Sequence, residues 1–462
     1  MSLDRFFNPE SVIVVGASEK PGTIGRAIIE NLLTRFKGKI YPVNIKYDKV
    51  FGLKCYRDVL EVKEGADLAV IAIPARFVRD IVDKLGRIGV RAAIIISAGF
   101  REIGSEGERR EREVVETARK WGIRIVGPNC LGIYDAYSGL DTIFNPNDRQ
   151  GKPSPGNVAF ISQSGALGAA LLDWLTMARI GLSKFISYGN AADVDESDLI
   201  EFLADDPLTK VITAYIEGVR DGRKFMRAVK KAVERGKPVV VLKAGKTEYG
   251  AKAATSHTGS LAGTYEVYDA ALRQSGALIV NNITELIMAA KVLSMQPPPT
   301  GHRVAIVTNG GGAGVLTTDE VISSGLIMAR LDDGTIMKLR NVLPEAASPY
   351  NPVDILGDAP AERYIKSIKI VMNDNNVDSI IVITIMQSPA FNPKEFIEGM
   401  KEIIEKTEKP ILMIAPGGEY TEKWSIEIER ELRIPVFKSP EECVKALIIL
   451  TRFGDILGRY RQ

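Results

Sequence analysis

Val14-Val-Gly-Ala-Ser-Glu-Lys-Pro-Gly-Thr-Ile-Gly25 sets a short β-branched run against a helix-forming one across a glycine-rich turn. A strand that feeds a helix in this way belongs to a layered α/β fold. The same pattern recurs along the chain. Runs rich in Val and Ile at residues 12–15, 68–73, 93–96, 158–161, 239–242, 304–307, 380–385 and 411–414 alternate with amphipathic segments. Each run is short and continuously apolar, which predicts parallel sheets covered on both faces by helices. The expected fold class is α/β.

The chain has 462 residues, too many for one hydrophobic core. Two turn-rich stretches mark boundaries, residues 145–157 and the proline run Gln296-Pro-Pro-Pro-Thr-Gly301. They predict domains at 1–145, 150–296 and 302–462. The last two look duplicated. Val158-Ala-Phe-Ile-Ser-Gln-Ser-Gly-Ala-Leu-Gly168 aligns without gaps with Val304-Ala-Ile-Val-Thr-Asn-Gly-Gly-Gly-Ala-Gly314, and Lys237-Pro-Val-Val-Val-Leu-Lys-Ala-Gly245 with Lys409-Pro-Ile-Leu-Met-Ile-Ala-Pro-Gly417.

Sixty Lys and Arg against 58 Asp and Glu leave a net charge of +2, which does not favour nucleic acid or an acidic membrane as partner. Charged stretches such as residues 101–120 read as solvated helix faces. Cys55, Cys130 and Cys443 lie far apart, match no metal or redox spacing, and fit a reducing cytoplasm. No apolar signal core or membrane-length run is present, and no metal-ligand cluster stands out.

Three glycine- or serine-rich turns could present backbone N–H groups to phosphate at a helix start. In the first, Ser18 stands where a dinucleotide fingerprint has its second glycine. The next strand ends Tyr41-Pro-Val-Asn-Ile-Lys46, with no carboxylate for a ribose diol. This argues against a nicotinamide oxidoreductase and favours a nucleotide with more phosphate, such as CoA. The other turns are Ser162-Gln163-Ser164-Gly165 and the run carrying Gly310, Gly311 and Gly312, each opening a helix at about 166–177 or 315–324. If the duplicated domains pack about a pseudo-two-fold axis, both helix starts would face one anion.

Only two histidines occur, His257 and His302. His302 follows the proline linker and reads as structural or solvated. His257 lies in Lys243-Ala-Gly-Lys-Thr-Glu-Tyr-Gly-Ala-Lys-Ala-Ala-Thr-Ser-His-Thr-Gly-Ser-Leu-Ala-Gly263, read as a long mobile loop before a helix at 261–274. The segment has no apolar stripe to bury a ring. A nucleophilic imidazole needs a partner on its other nitrogen. Glu217, closing the strand at 211–216, is the candidate; the third domain has no carboxylate at the matching position, about Met386 or Gln387. Ala244-Gly-Lys-Thr247 is no P-loop, because Val240 replaces the required glycine.

Together these motifs resemble the nucleoside-diphosphate-forming acyl-CoA synthetases, relatives of succinyl-CoA synthetase. The resemblance runs through Gly16-Ala-Ser-Glu-Lys-Pro-Gly22, Pro42-Val-Asn44, Ile73-Pro-Ala75, Ser97-Ala-Gly-Phe100, Gly127-Pro-Asn-Cys-Leu-Gly132, Ser162-Gln-Ser-Gly-Ala166, Tyr215-Ile-Glu-Gly218, Ser256-His-Thr-Gly259, Asn309-Gly-Gly-Gly-Ala-Gly314 and Asn351-Pro-Val-Asp354. It implies a Rossmann-like CoA-binding domain followed by two flavodoxin-like doubly wound ligase domains. It implies CoA contacts at Gly16, Ser18, Lys20, Pro21, Asn44, Lys46, Ile73, Pro74, Ala75, Ser97, Ala98, Gly99 and Asn129. It implies phosphate contacts at Ser162, Gln163, Ser164, Gly165, Gly310, Gly311 and Gly312, and phosphohistidine at His257 oriented by Glu217.

The domain set resembles the α subunits of ADP-forming acetate–CoA ligases, acting on acetyl-CoA, phosphate and ADP to give acetate, CoA and ATP. No ATP-grasp region is present, so a β subunit is expected to supply ADP/ATP and Mg²⁺ binding in an α2β2 heterotetramer. An aryl or branched-chain acid is the alternative substrate, and a non-catalytic CoA-binding regulator the alternative role.

Overall fold

Residues that pair a β-branched run with a following glycine turn form the strand–helix units of this chain. The structure is a computed structural model that describes residues 3–258 and 264–461, the side chains of 254–258 and 461 apart. It separates into two compact units, Met1–Ala290 and Lys291–Gln462.

The first unit holds two sheets. Strands β1 (Ser11–Val15), β2 (Lys39–Val43), β5 (Leu68–Ile71), β6 (Ala92–Ile95) and β7 (Arg124–Val126) form a parallel sheet in the order β2-β1-β5-β6-β7. The short strands β3 (Lys49–Val50) and β4 (Leu53–Lys54) make a separate hairpin. Helices α1 (Ile24–Arg35), α2 (Val78–Arg87) and α3 (Ser105–Trp121) connect them. Val12, Ile13, Val14, Leu68, Val70, Ile94 and Ile95 are all fully buried, as continuous apolar strands require.

The second sheet contains β8 (Ile133–Asp135), β9 (Pro155–Ser162), β10 (Leu182–Ser187), β11 (Val211–Ile216), β12 (Val239–Lys243) and β13 (Leu278–Val280), ordered β13-β12-β11-β9-β10-β8. All pairs are parallel except β8 with β10. Helices α4 (Gly165–Met177), α5 (Glu196–Asp205), α6 (Gly222–Glu234), α7 (Glu248–Thr258), α8 (Tyr265–Gln274) and α9 (Ile283–Met295) follow. Within this sheet Lys184 of β10 is buried between Asp206 at 2.9 Å and Asp135 of β8 at 3.4 Å, so its charge is compensated.

The second unit repeats the plan. Strands β14 (Arg303–Thr308), β15 (Ile327–Met328), β17 (Ser379–Ile383), β18 (Ile411–Ile414) and β19 (Val436–Phe437) run in the order β15-β14-β17-β18-β19, and β16 (Val353–Asp354) also pairs with β14. Helices α10 (Gly311–Ser323), α11 (Asp333–Val342), α12 (Ala361–Met372), α13 (Pro393–Lys406), α14 (Glu419–Leu432) and α15 (Pro440–Arg461) complete it. In the first and third sheets the first strand lies second in the order, and in the second sheet β9 does so once the antiparallel edge strand β8 is set aside; this flavodoxin-like 2-1-3-4-5 path places a crevice beside the carboxyl end of that strand. His302 is half-exposed and its Nε2 lies 2.9 Å from Asp455 Oδ1, a structural pairing.

Three expectations change. The segment before residue 259, read as a loop, is the helix α7. Ala251 N–H donates to the Thr247 carbonyl at 2.8 Å, Thr247 Oγ1 accepts from Gly250 N–H, and Lys252 pairs with Glu248 one turn away. Ala251, Ala253 and Ala254 are strong helix formers and outweigh Gly250. Secondly, α3 begins at Ser105, and Arg101 sits in a separate 3-10 turn, Arg101–Ile103, with its side chain largely covered. Thirdly, Val158 pairs with Val211 and Val304 with Ser379, so ladder register matches Glu217 to Ile385 rather than to Met386 or Gln387.

Candidate functional site

Five loops leave the carboxyl edge of the first sheet, and they carry the residues expected to contact CoA. Gly16 and Ser18 follow β1, Asn44 and Lys46 follow β2, Ile73, Pro74 and Ala75 follow β5, Ser97, Ala98 and Gly99 follow β6, and Asn129 follows β7. Parallel strands alone bring these distant positions to one edge. Gly16 has φ of 95°, and a Cβ there would meet the Ala72 carbonyl oxygen at 2.3 Å, so the β1 and β5 loops touch through glycine. Asn44 Nδ2 donates to the Ala17 carbonyl at 2.7 Å and ties the β2 loop to the glycine turn. Ser97 Oγ accepts from Ile73 N–H at 3.2 Å and donates to the Ile73 carbonyl. Asn129 N–H donates to the Ser97 carbonyl at 2.9 Å. Lys20, Pro21 and Lys46 are exposed at the rim.

The second sheet supplies a matching crevice between β9 and β11. Ser162 is fully buried and donates to the Ser164 carbonyl at 2.7 Å. Ser164 is the N-cap of α4, with its Oγ facing Leu167 N–H at 3.4 Å. Gln163 Oε1 accepts from Glu217 N–H at 2.8 Å and Gly218 N–H at 3.1 Å. Both partners are donors, so the amide oxygen must face them. This clamp fixes the backbone at the end of β11, where Glu217 is buried. Tyr215 donates its hydroxyl to Glu217, and burial together with that carboxylate pushes the Tyr215 phenol up.

Lys243 is fully enclosed at the end of β12. Its Nζ donates to the Glu217 carbonyl at 2.8 Å and lies 4.6 Å above the Tyr268 ring. Burial, opposed by the Glu217 charge, lowers its pKa to about 8. His257 lies in the last turn of α7; its side chain lies outside the described residues.

A cavity of about 650 Å³ joins the two crevices of the first unit. Ser97, Ala98 and Asn129 line it from the first sheet, and Gln163, Ser164, Gly165 and Glu217 from the second. Arg101 and Asn190 line it as well. Asn190 bridges the two sides: its Nδ2 donates to Glu102 at 2.7 Å and Glu111 at 2.9 Å, and its Oδ1 lies 3.3 Å from Asn129 Nδ2. Sequence reading missed Arg101, Asn190 and Lys243. Arg101 follows directly on Ser97-Ala-Gly-Phe100, the one signal that could have separated it from the charged helix beyond.

In the second unit, Gly310 is the N-cap of α10, and Gly311 and Gly312 open its exposed first turn. Asn309 repeats the clamp: its Oδ1 accepts from Ile385 N–H at 2.8 Å. The scaffold is thus the same, with an isoleucine where the first unit has Glu217. Among the described residues no group of three or more His, Cys, Asp or Glu could hold a metal, and no helix is long and apolar enough to cross a membrane.

Three family models match the chain: a CoA binding domain over residues 10–136, a succinyl-CoA ligase like flavodoxin domain over 155–293, and a ligase-CoA domain over 304–446. The chain is 44% identical over 459 residues to the α subunit of ADP-forming acetate–CoA ligase II of Pyrococcus furiosus, covering 99% of both chains. It is also 44% identical to ADP-forming acetate–CoA ligase I of Archaeoglobus fulgidus, with 99% of this chain matching 65% of that protein. A solved structure from Ca. Korarchaeum cryptofilum, a dinucleotide forming acetyl-coenzyme A synthetase 1 in complex with phosphate and ADP, superposes with a TM-score of 0.91 at 38% identity, covering 100% of this chain and 98% of the other.

Proposed function

This chain belongs to the ADP-forming acyl-CoA synthetases, ligases whose α subunits it matches over its whole length, and on that premise we propose that it is the α subunit of an acetate–CoA ligase that forms ATP through phosphohistidine at His257. The observation that supports the reading is a cavity of the first unit that Ser97, Ala98 and Asn129, from the loops after β6 and β7, share with the Gln163–Glu217 clamp.

A phosphate oxygen attacks the thioester carbonyl of acetyl-CoA, the C–S bond breaks, and the phosphate proton passes to sulfur, giving acetyl phosphate and CoA. His257 Nε2 then attacks phosphorus and the P–O bond to acetate breaks. Phosphohistidine finally transfers its phosphoryl group to ADP, which with Mg²⁺ is held by an ATP-grasp β partner in an α2β2 assembly.

This chain's own residues perform the positioning. Glu217 accepts a hydrogen bond from His257 Nδ1–H, which leaves Nε2 as the nucleophile, and stabilises the cationic phosphorylated ring. Gln163 fixes the Glu217 backbone, and the start of α4 behind Ser164 offers N–H groups and the positive helix end to the phosphoryl oxygens. Gly310, Gly311 and Gly312 offer the same chemistry at α10. The loop residues from Gly16 to Asn129 seat CoA. The free, buried cysteines fit a cytoplasmic enzyme.

The test is incubation of the purified protein and its copurifying partner with acetyl-CoA and labelled phosphate. Acid-labile label is expected on His257, lost in His257→Ala and reduced at least tenfold in Glu217→Gln. Stable labelling of His257→Ala at wild-type level overturns the assignment.

A further inference from the structure

Arg101 is the one cationic side chain among the described residues that line the 650 Å³ cavity. Its side chain is only 10% exposed. Desolvating a guanidinium is costly unless its donors are used. Yet among the described residues its Nε has no partner, and its ion pair with Glu111 Oε1 spans 3.7 Å. The nearby carboxylates are shared with other donors: Glu111 also accepts from the Arg101 N–H at 3.5 Å and lies 3.7 Å from Arg220. Glu102 accepts from Gly99 N–H at 2.6 Å, Phe100 N–H at 3.1 Å and Asn190 Nδ2 at 2.7 Å. Glu111 accepts from Asn190 at 2.9 Å. These contacts hold the 3-10 turn in place without saturating the guanidinium.

The reaction brings a dianion into this cavity beside the Glu217 carboxylate. A helix start supplies about half a positive charge, and Lys243 beside Glu217 donates to the Glu217 and Ala244 carbonyls and does not line the cavity, so Arg101 is the full positive charge on the cavity wall. We propose that Arg101 is an oxyanion-binding residue of this cavity, donating to the phosphate or to the carboxylate end of the reacting acyl group. The inference rests on the function proposed above and names the cation it needs. Guanidinium suits either group, because its planar donors match two oxygens at once.

The experiment compares wild type, Arg101→Gln and Arg101→Lys, each checked by melting temperature. His257 labelling from acetyl-CoA is measured against inorganic phosphate concentration and against acetyl-CoA concentration. Inorganic phosphate and acetate are also titrated calorimetrically into the CoA-loaded proteins. Arg101→Gln is expected to raise half-saturating phosphate roughly 10- to 100-fold, as loss of one charged hydrogen bond does, with acetyl-CoA half-saturation unchanged and Arg101→Lys in between. A shift confined to acetate assigns the carboxylate instead. Unchanged phosphate and acetate binding in folded Arg101→Gln overturns the proposal. So does a Gln variant that unfolds beside a Lys variant that binds both like wild type, since Arg101 would then be structural. If wild type fails to label His257, the proposed function falls, and the two titrations still decide Arg101 by themselves.

Discussion

Replacing Gln163 separates what the clamp does for the fold from what it does for the chemistry. Its Oε1 accepts two backbone donors, the buried Glu217 N–H and the partly buried Gly218 N–H. In Gln163→Ala both lose their partner in a site that is only 8% exposed at residue 163 and 7% at Glu217. An orphaned buried donor costs roughly 1–3 kcal/mol, so the pair predicts a loss of roughly 2–5 kcal/mol, a large share of the 5–15 kcal/mol typical of a domain. Urea titration followed by circular dichroism reads this as a lowered midpoint at unchanged slope. Gln163→Glu keeps an acceptor facing both donors, so it should cost distinctly less. It also places a carboxylate at the head of α4, where an effective dielectric of about 20 leaves charge repulsion strong. His257 labelling from phosphate should then fall tenfold or more while most of the stability survives. A Gln163→Ala protein as stable as wild type refutes the clamp. Undiminished labelling in Gln163→Glu refutes the placing of phosphate at this helix start.

Two further predictions concern buried titratable groups. Glu196 is 2% exposed, its Oε1 has no partner among the described residues, and burial, reinforced by Asp195, pushes its pKa up to about 8. Between the ordinary carboxylate range and pH 8 the folded state therefore holds a proton that the unfolded state has released, and stability falls as pH rises. Glu196→Gln should match wild type near pH 4.5 and exceed it above pH 8, by at most roughly 5 kcal/mol at 1.36 kcal/mol per pH step; urea midpoints at pH 5 and 8.5 that differ equally from wild type would refute this. Lys243 has the opposite displacement, down to about 8 by burial. Above pH 8 and up to the ordinary lysine range the unfolded chain holds the extra proton, so wild type should gain stability with rising pH relative to Lys243→Met. The same variant should weaken His257 labelling by loosening the Glu217 backbone, which phosphate-dependent labelling at fixed acetyl-CoA would detect.

Much of this protein was legible in its residues. The alternation of β-branched runs with helices fixes the α/β class, because a strand apolar on both faces must be covered on both sides. The repeated strand–turn–helix segments at 158–168 and 304–314 exposed the duplicated scaffold, and the parallel strands of the three sheets share one order once the antiparallel β8 is set aside. His257 and Glu217 could be singled out because the third domain lacks both, and register puts an apolar Ile385 at the position equivalent to Glu217. These are local properties, set by period and turn chemistry within a dozen residues.

What the sequence could not decide depends on which distant groups meet. Arg101 belongs to a run of charges that reads as a wet helix, yet the chain turns before α3 and leaves its side chain only 10% exposed beside Glu111. Gln163 looks like one polar residue in a turn, and only the β9–β11 pairing brings its amide to Glu217 N–H. The helix at α7 follows from alanine content that glycine spacing masked. Sequence determined where strands end and which turns could face an anion. Tertiary structure alone determined the charge balance of the cavity, because desolvation and pairing are properties of neighbours that lie as far apart in the chain as Arg101, Asn190 and Glu217.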